Sequence, residues 1–308
     1  MLFFPYKADV NLGRWPIMTL IVCVICIWVF GRQALSEYRY TTAINQFCNQ
    51  SITRDELMAL RYLPGEPGQH YCEVMLKIRS APDHKQAMRD IAEAGLPTSF
   101  YPNKLDNTAY LYSTLERSFS RFDRAVPKNL TDELHYDPRN PSLTSMVTAA
   151  FSHGSWGHLI GNLVFFFAFA ASVEVITGYA YYFGFIMLSA VATHLAYTYS
   201  VRDAELALPT VGLSGVVMTM MAFLATVIPA LRIRVFFWFL IFIRTFRVPA
   251  LVIAALYVLQ NIYDYSHQDL EDNTNYVAHL SGAFLGVAMG IIYRVRNKEF
   301  LGNIVRDL

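Results

Sequence analysis

Charge is what this 308-residue chain has least of: Asp, Glu, Lys and Arg together make up 16% of it, against about a quarter in an ordinary soluble domain. Lys and Arg number 25 and Asp and Glu 24, a net charge of +1. So small an excess gives no footing for nucleic acid, whose phosphates are met by concentrated cations. Cysteine is also scarce, four in all, too few for a disulfide-built scaffold. Cys23 and Cys26 form a C-x-x-C, but no further Cys or His stands near them in the chain. The pair therefore reads as two small residues of an apolar helix rather than a metal or redox centre. The sequence implies no metal and no organic cofactor.

What is there instead is apolar residue, 54% of the chain and unevenly spread. It concentrates in the first 30 residues and after about residue 145, and the stretch between has the composition of a soluble protein. Residues 1–14 are short and polar. Trp15 to Phe30 is a first hydrophobic span with Trp15 and Trp28 as interfacial residues. Gly31-Arg32-Gln33 follows without a small-residue cleavage site, so the span is a retained helix reaching about Leu35. Residues 36–140 hold no run long enough to span. Thr53-Arg54-Asp55-Glu56 is a capping box predicting a helix through about Tyr62, and Pro64 to Gly68 is a loop. Helices are expected over Asp83–Ala94 and Leu111–Phe122, the latter with Leu111, Leu115, Phe119 and Phe122 at helical spacing. If this insert is extracytoplasmic, Cys48 and Cys72 can form a disulfide; in a reducing compartment they stay thiols.

Five more spans follow, near His158–Ile176, Tyr181–Ser200, Val211–Pro229, Val248–Tyr263 and Tyr276–Tyr293. Val235–Ile243 is apolar too, but it is bounded by arginines and too short to cross as a helix, so it is expected at the interface or as a re-entrant segment. With six spans, the basic residues Lys7 and Arg14, Arg232, Arg234, Arg244 and Arg247, and Arg294, Arg296 and Lys298 all fall on one side, which the positive-inside rule makes cytoplasmic. Arg244 and Arg247 suit lipid headgroups. The loop Asp264–Asn275, acidic and without Lys or Arg, falls outside with the insert. The expected fold is an all-α polytopic membrane bundle of six transmembrane helices with a small, mainly helical extracytoplasmic insert. Its divisions are 1–35 (N-terminus and first helix), 36–140 (insert), 141–293 (helices two to six) and 294–308 (cytoplasmic tail).

This topology brings unusual residues to one depth. His158 and Asn162 lie one turn apart near the outer end of the second span, Ser214 near the outer end of the fourth, and His279 near that of the sixth. Polar side chains inside a membrane are costly and mark function. A hydroxyl nucleophile needs a base, which an imidazole supplies. An Asn amide, a second imidazole and a backbone N–H are the donors an acyl-transfer oxyanion requires. No carboxylate stands where it could orient His279, so a Ser–His dyad is expected rather than a triad. Glu174, at the inner end of the second span with Gly178, reads as a fold-holding contact, and His194 as a satisfied interhelical histidine.

Phe151-Ser152-His153, His158-Leu159-Ile160-Gly161-Asn162, Val173-Glu174 with Gly178, Gly212-Leu213-Ser214-Gly215, and Ala278-His279-Leu280-Ser281-Gly282 with Gly286 together resemble the rhomboid intramembrane serine proteases over about residues 141–293. The resemblance implies Ser214 as nucleophile, His279 as general base, His158 and Asn162 as oxyanion donors, and His153 in the loop before the second helix. Gly282-x-x-x-Gly286 would let the sixth helix approach the fourth closely. Two departures stand out. Met218 takes the position below the serine where many members carry a tyrosine under the histidine, and the insert is much longer than the family's usual loop. The reading is an endopeptidase acting on transmembrane protein substrates within the lipid bilayer, expected in a bacterial cytoplasmic membrane with both termini cytoplasmic. The alternative is a non-proteolytic relative that binds membrane helices for quality control. A solute channel is disfavoured, because the polar residues sit at one level rather than through the membrane depth.

Overall fold

The computed structural model describes residues 2–8, 15–49, 53, 54, 56, 67–81, 83–94, 104–202, 207–239, 242–267 and 274–306. In chain order its elements are β1 (Leu2–Ala8), α1 (Ile17–Cys48), α2 (Pro67–Ser80), α3 (His84–Ala94), α4 (Lys104–Ala125), α5 (Leu130–Leu134), α6 (Leu143–Phe151), α7 (Trp156–Thr177), α8 (Tyr179–Ser200), α9 (Ser214–Val227), β2 (Arg232–Phe239), β3 (Phe242–Pro249), α10 (Ala250–Ser266), α11 (Tyr276–Arg296) and α12 (Lys298–Arg306). They fall into two compact units, residues 1–33 with 131–308, and residues 34–130.

Each expected span coincides with a helix of the larger unit. Four of these, α1, α7, α8 and α11, are long and apolar enough to cross a membrane, and they expose large apolar side chains such as Trp28, Phe183 and Phe284. α1 runs to Cys48, well past the expected end near Leu35, because no Gly or Pro follows Gly31 to stop it. α9 is the centre of the bundle. It has 14 residues, all buried except Ser214 and Thr226, and at about 1.5 Å per residue it is only about 21 Å long.

Hydrogen bonds fix which helix ends lie together. The Tyr293 hydroxyl, near the end of α11, donates to the Ile176 carbonyl at the end of α7 (2.7 Å), and Arg294 reaches the Thr226 carbonyl at the end of α9 (3.3 Å). Glu174, on the last turn of α7, accepts from the Met18 N–H (2.9 Å) and from the Thr19 N–H and hydroxyl (both 2.7 Å). It thus caps the N-terminus of α1, where first-turn N–H groups have no helical partner and the dipole favours an anion. Gly178, at φ +78°, makes the turn from α7 into α8.

The main departure from a purely helical expectation is a three-stranded antiparallel sheet in the order β1-β2-β3. The described residues of Val235–Ile243, a segment expected to lie at the interface or re-enter, belong to the antiparallel strands β2 and β3, with Phe239 paired to Phe242. Arg232-Ile233-Arg234-Val235 alternates with the strand period of two, burying Ile233 and Val235 and turning Arg232 outward. The polar lead expected over residues 1–14 contains β1, which pairs Leu2 with Trp238 and Ala8 with Ile233. β2 follows the end of α9, so the sheet and its arginines lie at the end of the bundle remote from the starts of α7, α9 and α11.

The smaller unit packs α2, α3 and α4 around Phe47, Met75, Ile78, Met88, Leu111, Leu115, Phe119 and Phe122. α3 starts at His84 with Asp83 accepting from the Lys85 and Gln86 N–H groups (2.9 and 3.1 Å). α4 contains the expected Leu111–Phe122 but is longer at both ends. The capping box is present: Thr53 N–H donates to Glu56 at 2.9 Å and Glu56 N–H to the Thr53 hydroxyl at 3.3 Å. The helix expected beyond it to Tyr62 lies outside the described residues, as do Pro64 to Glu66 of the expected loop. Pro67 and Gly68 begin α2 instead, a first-turn proline being tolerated since its missing N–H has no helical partner. Glu56 also accepts from Tyr71, Ser118 and Arg121, each at 2.8 Å. Burial alone would raise its carboxyl; the hydrogen bonds from Thr53, Tyr71 and Ser118 outweigh that and hold it at about 2. Cys48 and Cys72 are joined as a disulfide, with Cα atoms 5.8 Å apart.

Candidate active site

At the end of the bundle opposite the sheet, a cavity of about 610 Å³ is lined by Ser214, His279, His158 and Asn162, together with Gly212, Gly215, Met218, Tyr257 and Asn261. The sequence-derived nucleophile, base and oxyanion donors therefore face one space. Each comes from the first turns of a different helix, or from the turn leading into it.

α7 begins at Ser155, whose hydroxyl accepts from the His158 N–H (3.2 Å). His158 and Asn162 follow on one face. The Asn162 side-chain nitrogen is buried and has no hydrogen-bond partner among the described residues. Buried amides are nearly always paired, so an unpaired one facing a cavity is a donor awaiting an acceptor.

The segment leading to Ser214 is pinned on both sides. Tyr136 and Thr210 exchange backbone hydrogen bonds of 2.9 Å, and the Gly212 N–H donates to the Ala149 carbonyl at 2.8 Å. Gly212 has φ +128°, and a Cβ there would sit 2.7 Å from two ring atoms of His158 and 3.6 Å from the Asn162 nitrogen. Both counts demand glycine. Ser214 is the first residue of α9, which no side chain caps. Its first intrahelical bond is from Val217 to the Leu213 carbonyl (3.0 Å), so the N–H groups of Ser214 and Gly215 precede the ladder. The Ser214 hydroxyl makes no hydrogen bond to another described residue, as in many unliganded sites, where such bonds tighten only with substrate.

His279 is the fourth residue of α11, whose N-cap Asn275 accepts from the Ala278 N–H (2.9 Å). A Cβ on Gly282 would run into the Gly215 carbonyl, and one on Gly286 into the Thr219 carbonyl; α11 therefore lies backbone to backbone on α9. Gly215 in turn faces Thr193 of α8, whose hydroxyl oxygen would be 3.0 Å from a Cβ. Met218, one turn below Ser214, is buried. The His279 ring has Nδ1 2.7 Å from the Asn261 side-chain oxygen on α10 and stands edge-on to Tyr276, 6.2 Å between ring centres.

His153 does not line the cavity. It is buried in the turn before α7, edge-to-face with His158 at 5.2 Å, and its backbone N–H donates to the Gln33 side-chain oxygen (3.1 Å). Burial, reinforced by the neighbouring His158, pushes its imidazole down to about 4. His194 faces the cavity but its Nδ1 lies 2.6 Å from the Ala190 carbonyl and its ring packs on Tyr136. Among the described residues no cluster of His, Cys, Asp and Glu could hold a metal ion.

Asn261 is absent from the sequence-derived set, which seeks a carboxylate to orient the histidine. The signal is nonetheless present: Gln260-Asn261 is a polar pair within the apolar span Val248–Tyr263, near the end that the topology brings to the level of Ser214.

A comparison with curated proteins finds no match. A family model does: residues 140–296, just over half of the chain and all of the helices that build the cavity, match the Rhomboid domain. With its apolar, lipid-ready helices the chain is an integral membrane protein, and it belongs to the rhomboid family, a family whose members are generally intramembrane serine proteases.

Proposed function

We propose that this chain is an intramembrane serine endopeptidase that cleaves other proteins in or near their transmembrane segments. The observation that carries the reading is the cavity shared by Ser214, His279, His158 and the unpaired Asn162 nitrogen. In this mechanism the Ser214 hydroxyl attacks the scissile carbonyl carbon as its proton passes to His279 Nε2. The oxyanion accepts from Asn162, from the His158 ring N–H and from the Ser214 backbone N–H. His279 then hands the proton to the leaving amine, and a water, deprotonated by the same ring, releases the acyl group from Ser214. Each lost oxyanion donor is worth about 100- to 1000-fold in rate.

The short α9 supports the membrane side of this reading. At about 21 Å it covers less than a hydrocarbon core of about 30 Å, so Ser214 lies below the bilayer surface while the cavity above it admits water. The basic strands and the basic end of α11 sit opposite the cavity and, by the positive-inside rule, mark the cytoplasmic face. The site then opens to the outside, residues 36–140 follow on that side, both ends of the chain are cytoplasmic, and Arg244 and Arg247 meet lipid headgroups. Substrates are transmembrane helices that unwind locally to expose a carbonyl.

The test is cleavage of a reconstituted transmembrane substrate panel by wild type and by Ser214→Ala. Cleavage by wild type alone supports the mechanism, and equal cleavage by both overturns it. If neither cleaves and Ser214 also resists a fluorophosphonate probe, the chain is a non-proteolytic member that binds membrane helices.

A further inference from the structure

The contact between α10 and α11 deepens the protease reading, and the role it gives Asn261 rests on that reading. Asn261 places its side-chain oxygen 2.7 Å from His279 Nδ1, and its side-chain nitrogen donates to the Tyr257 carbonyl at 2.8 Å. The second bond settles the orientation of the first. A carbonyl accepts and cannot donate, so the amide end facing Tyr257 is the NH₂, and the end facing His279 is the oxygen. An amide oxygen also only accepts. The proton between the two residues therefore belongs to His279 Nδ1, and in the neutral ring the lone pair is on Nε2. Asn261 is itself buried, and both of its polar groups are used in this relay.

We propose that Asn261 is the positioning residue of the catalytic histidine, holding His279 as the Nδ1–H tautomer with Nε2 directed to the Ser214 proton. It fills the orienting role that a carboxylate fills in a triad, without a charge. It also answers the substitution of Met218 below the site: the ring is held from α10 by a hydrogen bond and edge-on by Tyr276 of its own helix, rather than by a tyrosine beneath it. A consequence is that the α10 helix belongs to the catalytic apparatus, and its displacement would release the base.

Two measurements on the full-length protein test this. The first is kinetic: Asn261→Leu, close in volume but without an acceptor, lowers kcat by about 10- to 100-fold with KM within about twofold, the pattern of an interaction needed in the transition state. Asn261→Asp, which keeps an oxygen acceptor in place, recovers most of that loss. Wild-type kcat in Asn261→Leu overturns the proposal, as does an Asn261→Asp no better than Asn261→Leu. The second needs neither activity nor a folded variant at position 261. In ¹⁵N-histidine spectra of the wild type, with His279 assigned from His279→Gln, the neutral ring appears as the Nδ1–H tautomer; an Nε2–H tautomer overturns the proposal. If Ser214→Ala cleaves as wild type does while the Nδ1–H signature is present, the protease reading fails and the positioning contact stands.

Discussion

Gly212→Ala is the substitution whose effect the structure specifies most fully. The residue is held at φ +128° between a backbone bridge and Ser214, a region that side-chain-bearing residues enter at a cost of about 1–3 kcal/mol. The added methyl would also stand 2.7 Å from Cε1 and Nε2 of His158, about 1 Å inside ordinary van der Waals contact. The two penalties have different outlets. The backbone strain falls on the turn, which the Tyr136–Thr210 bridge resists, and lowers stability. The steric overlap is relieved by moving the His158 ring, which moves a proposed oxyanion donor off its target. Loss of one such donor costs about 100- to 1000-fold in kcat, whereas the stability loss leaves a folded protein. The expected result in a reconstituted cleavage assay is a fall in kcat of that size, a melting temperature in detergent lowered by several degrees, and fluorophosphonate labelling of Ser214 slowed in parallel with kcat. Wild-type kcat in Gly212→Ala would refute the placement of His158 at the oxyanion. Complete unfolding would refute the partition between strain and displacement.

The other predictions concern the cavity, the helix packing and the 34–130 unit. Asn162→Ala removes the unpaired donor while leaving no buried partner stranded, so it should cut kcat about 100-fold or more with little change in melting temperature. Glu174→Ala strands the Met18 and Thr19 N–H groups at the start of α1 and should destabilise the bundle by about 2–5 kcal/mol, read by denaturation in mixed micelles; Glu174→Gln, which keeps an acceptor, should recover part of it. Gly286→Leu should separate α11 from α9 and abolish activity and compact folding together, read by cleavage and by gel filtration. In the 34–130 unit, Glu56 is depressed to about 2 from an ordinary 4.5, so its contribution is complete above 4.5 and is lost as pH falls from there through about 2. Acid unfolding of that unit, followed by tyrosine fluorescence, should be shallower over this window in Glu56→Gln than in wild type.

The membrane-facing helices are legible in the sequence because hydropathy reports length and burial, which are properties of one segment at a time. Trp156–Thr177, Tyr179–Ser200 and Tyr276–Arg296 differ from the sequence-derived limits by three residues or fewer. The sheet is not legible, although Arg232-Ile233-Arg234-Val235 has strand alternation. β2 pairs on one side with β1, Leu2–Ala8, more than 220 residues away in the chain, and a pairing over that separation leaves no local trace. Hydropathy starts α9 at Val211 because apolar character cannot register the positive φ of Gly212, which holds the helix back to Ser214. Asn261 escapes notice for a chemical reason. Its amide is neutral and carries none of the charge that marks an orienting carboxylate, and only the Tyr257 bond shows which way it points. The motif residues are readable one by one, but the unpaired state of the Asn162 nitrogen is a property of the packed structure alone.

Chain direction within the bundle also favours the proposed chemistry. His158 is the third residue of α7, Ser214 the first of α9 and His279 the fourth of α11, so three helices start at the same cavity. Each brings roughly half a positive charge and a turn of N–H groups to its start. The C-terminal ends of the same helices lie at the far end, where Arg294 meets the Thr226 carbonyl and Arg296 ends α11. The arrangement therefore sets fixed positive potential where an oxyanion would form and cations where the helix dipoles are negative. In a low-dielectric setting such preoriented dipoles are worth far more than in water and need no reorganisation as charge develops. The close α9–α11 contact made by Gly282 and Gly286 then has an electrostatic consequence beyond packing: it brings the start of α11 beside that of α9, so that the proposed base, nucleophile and oxyanion donors share one field.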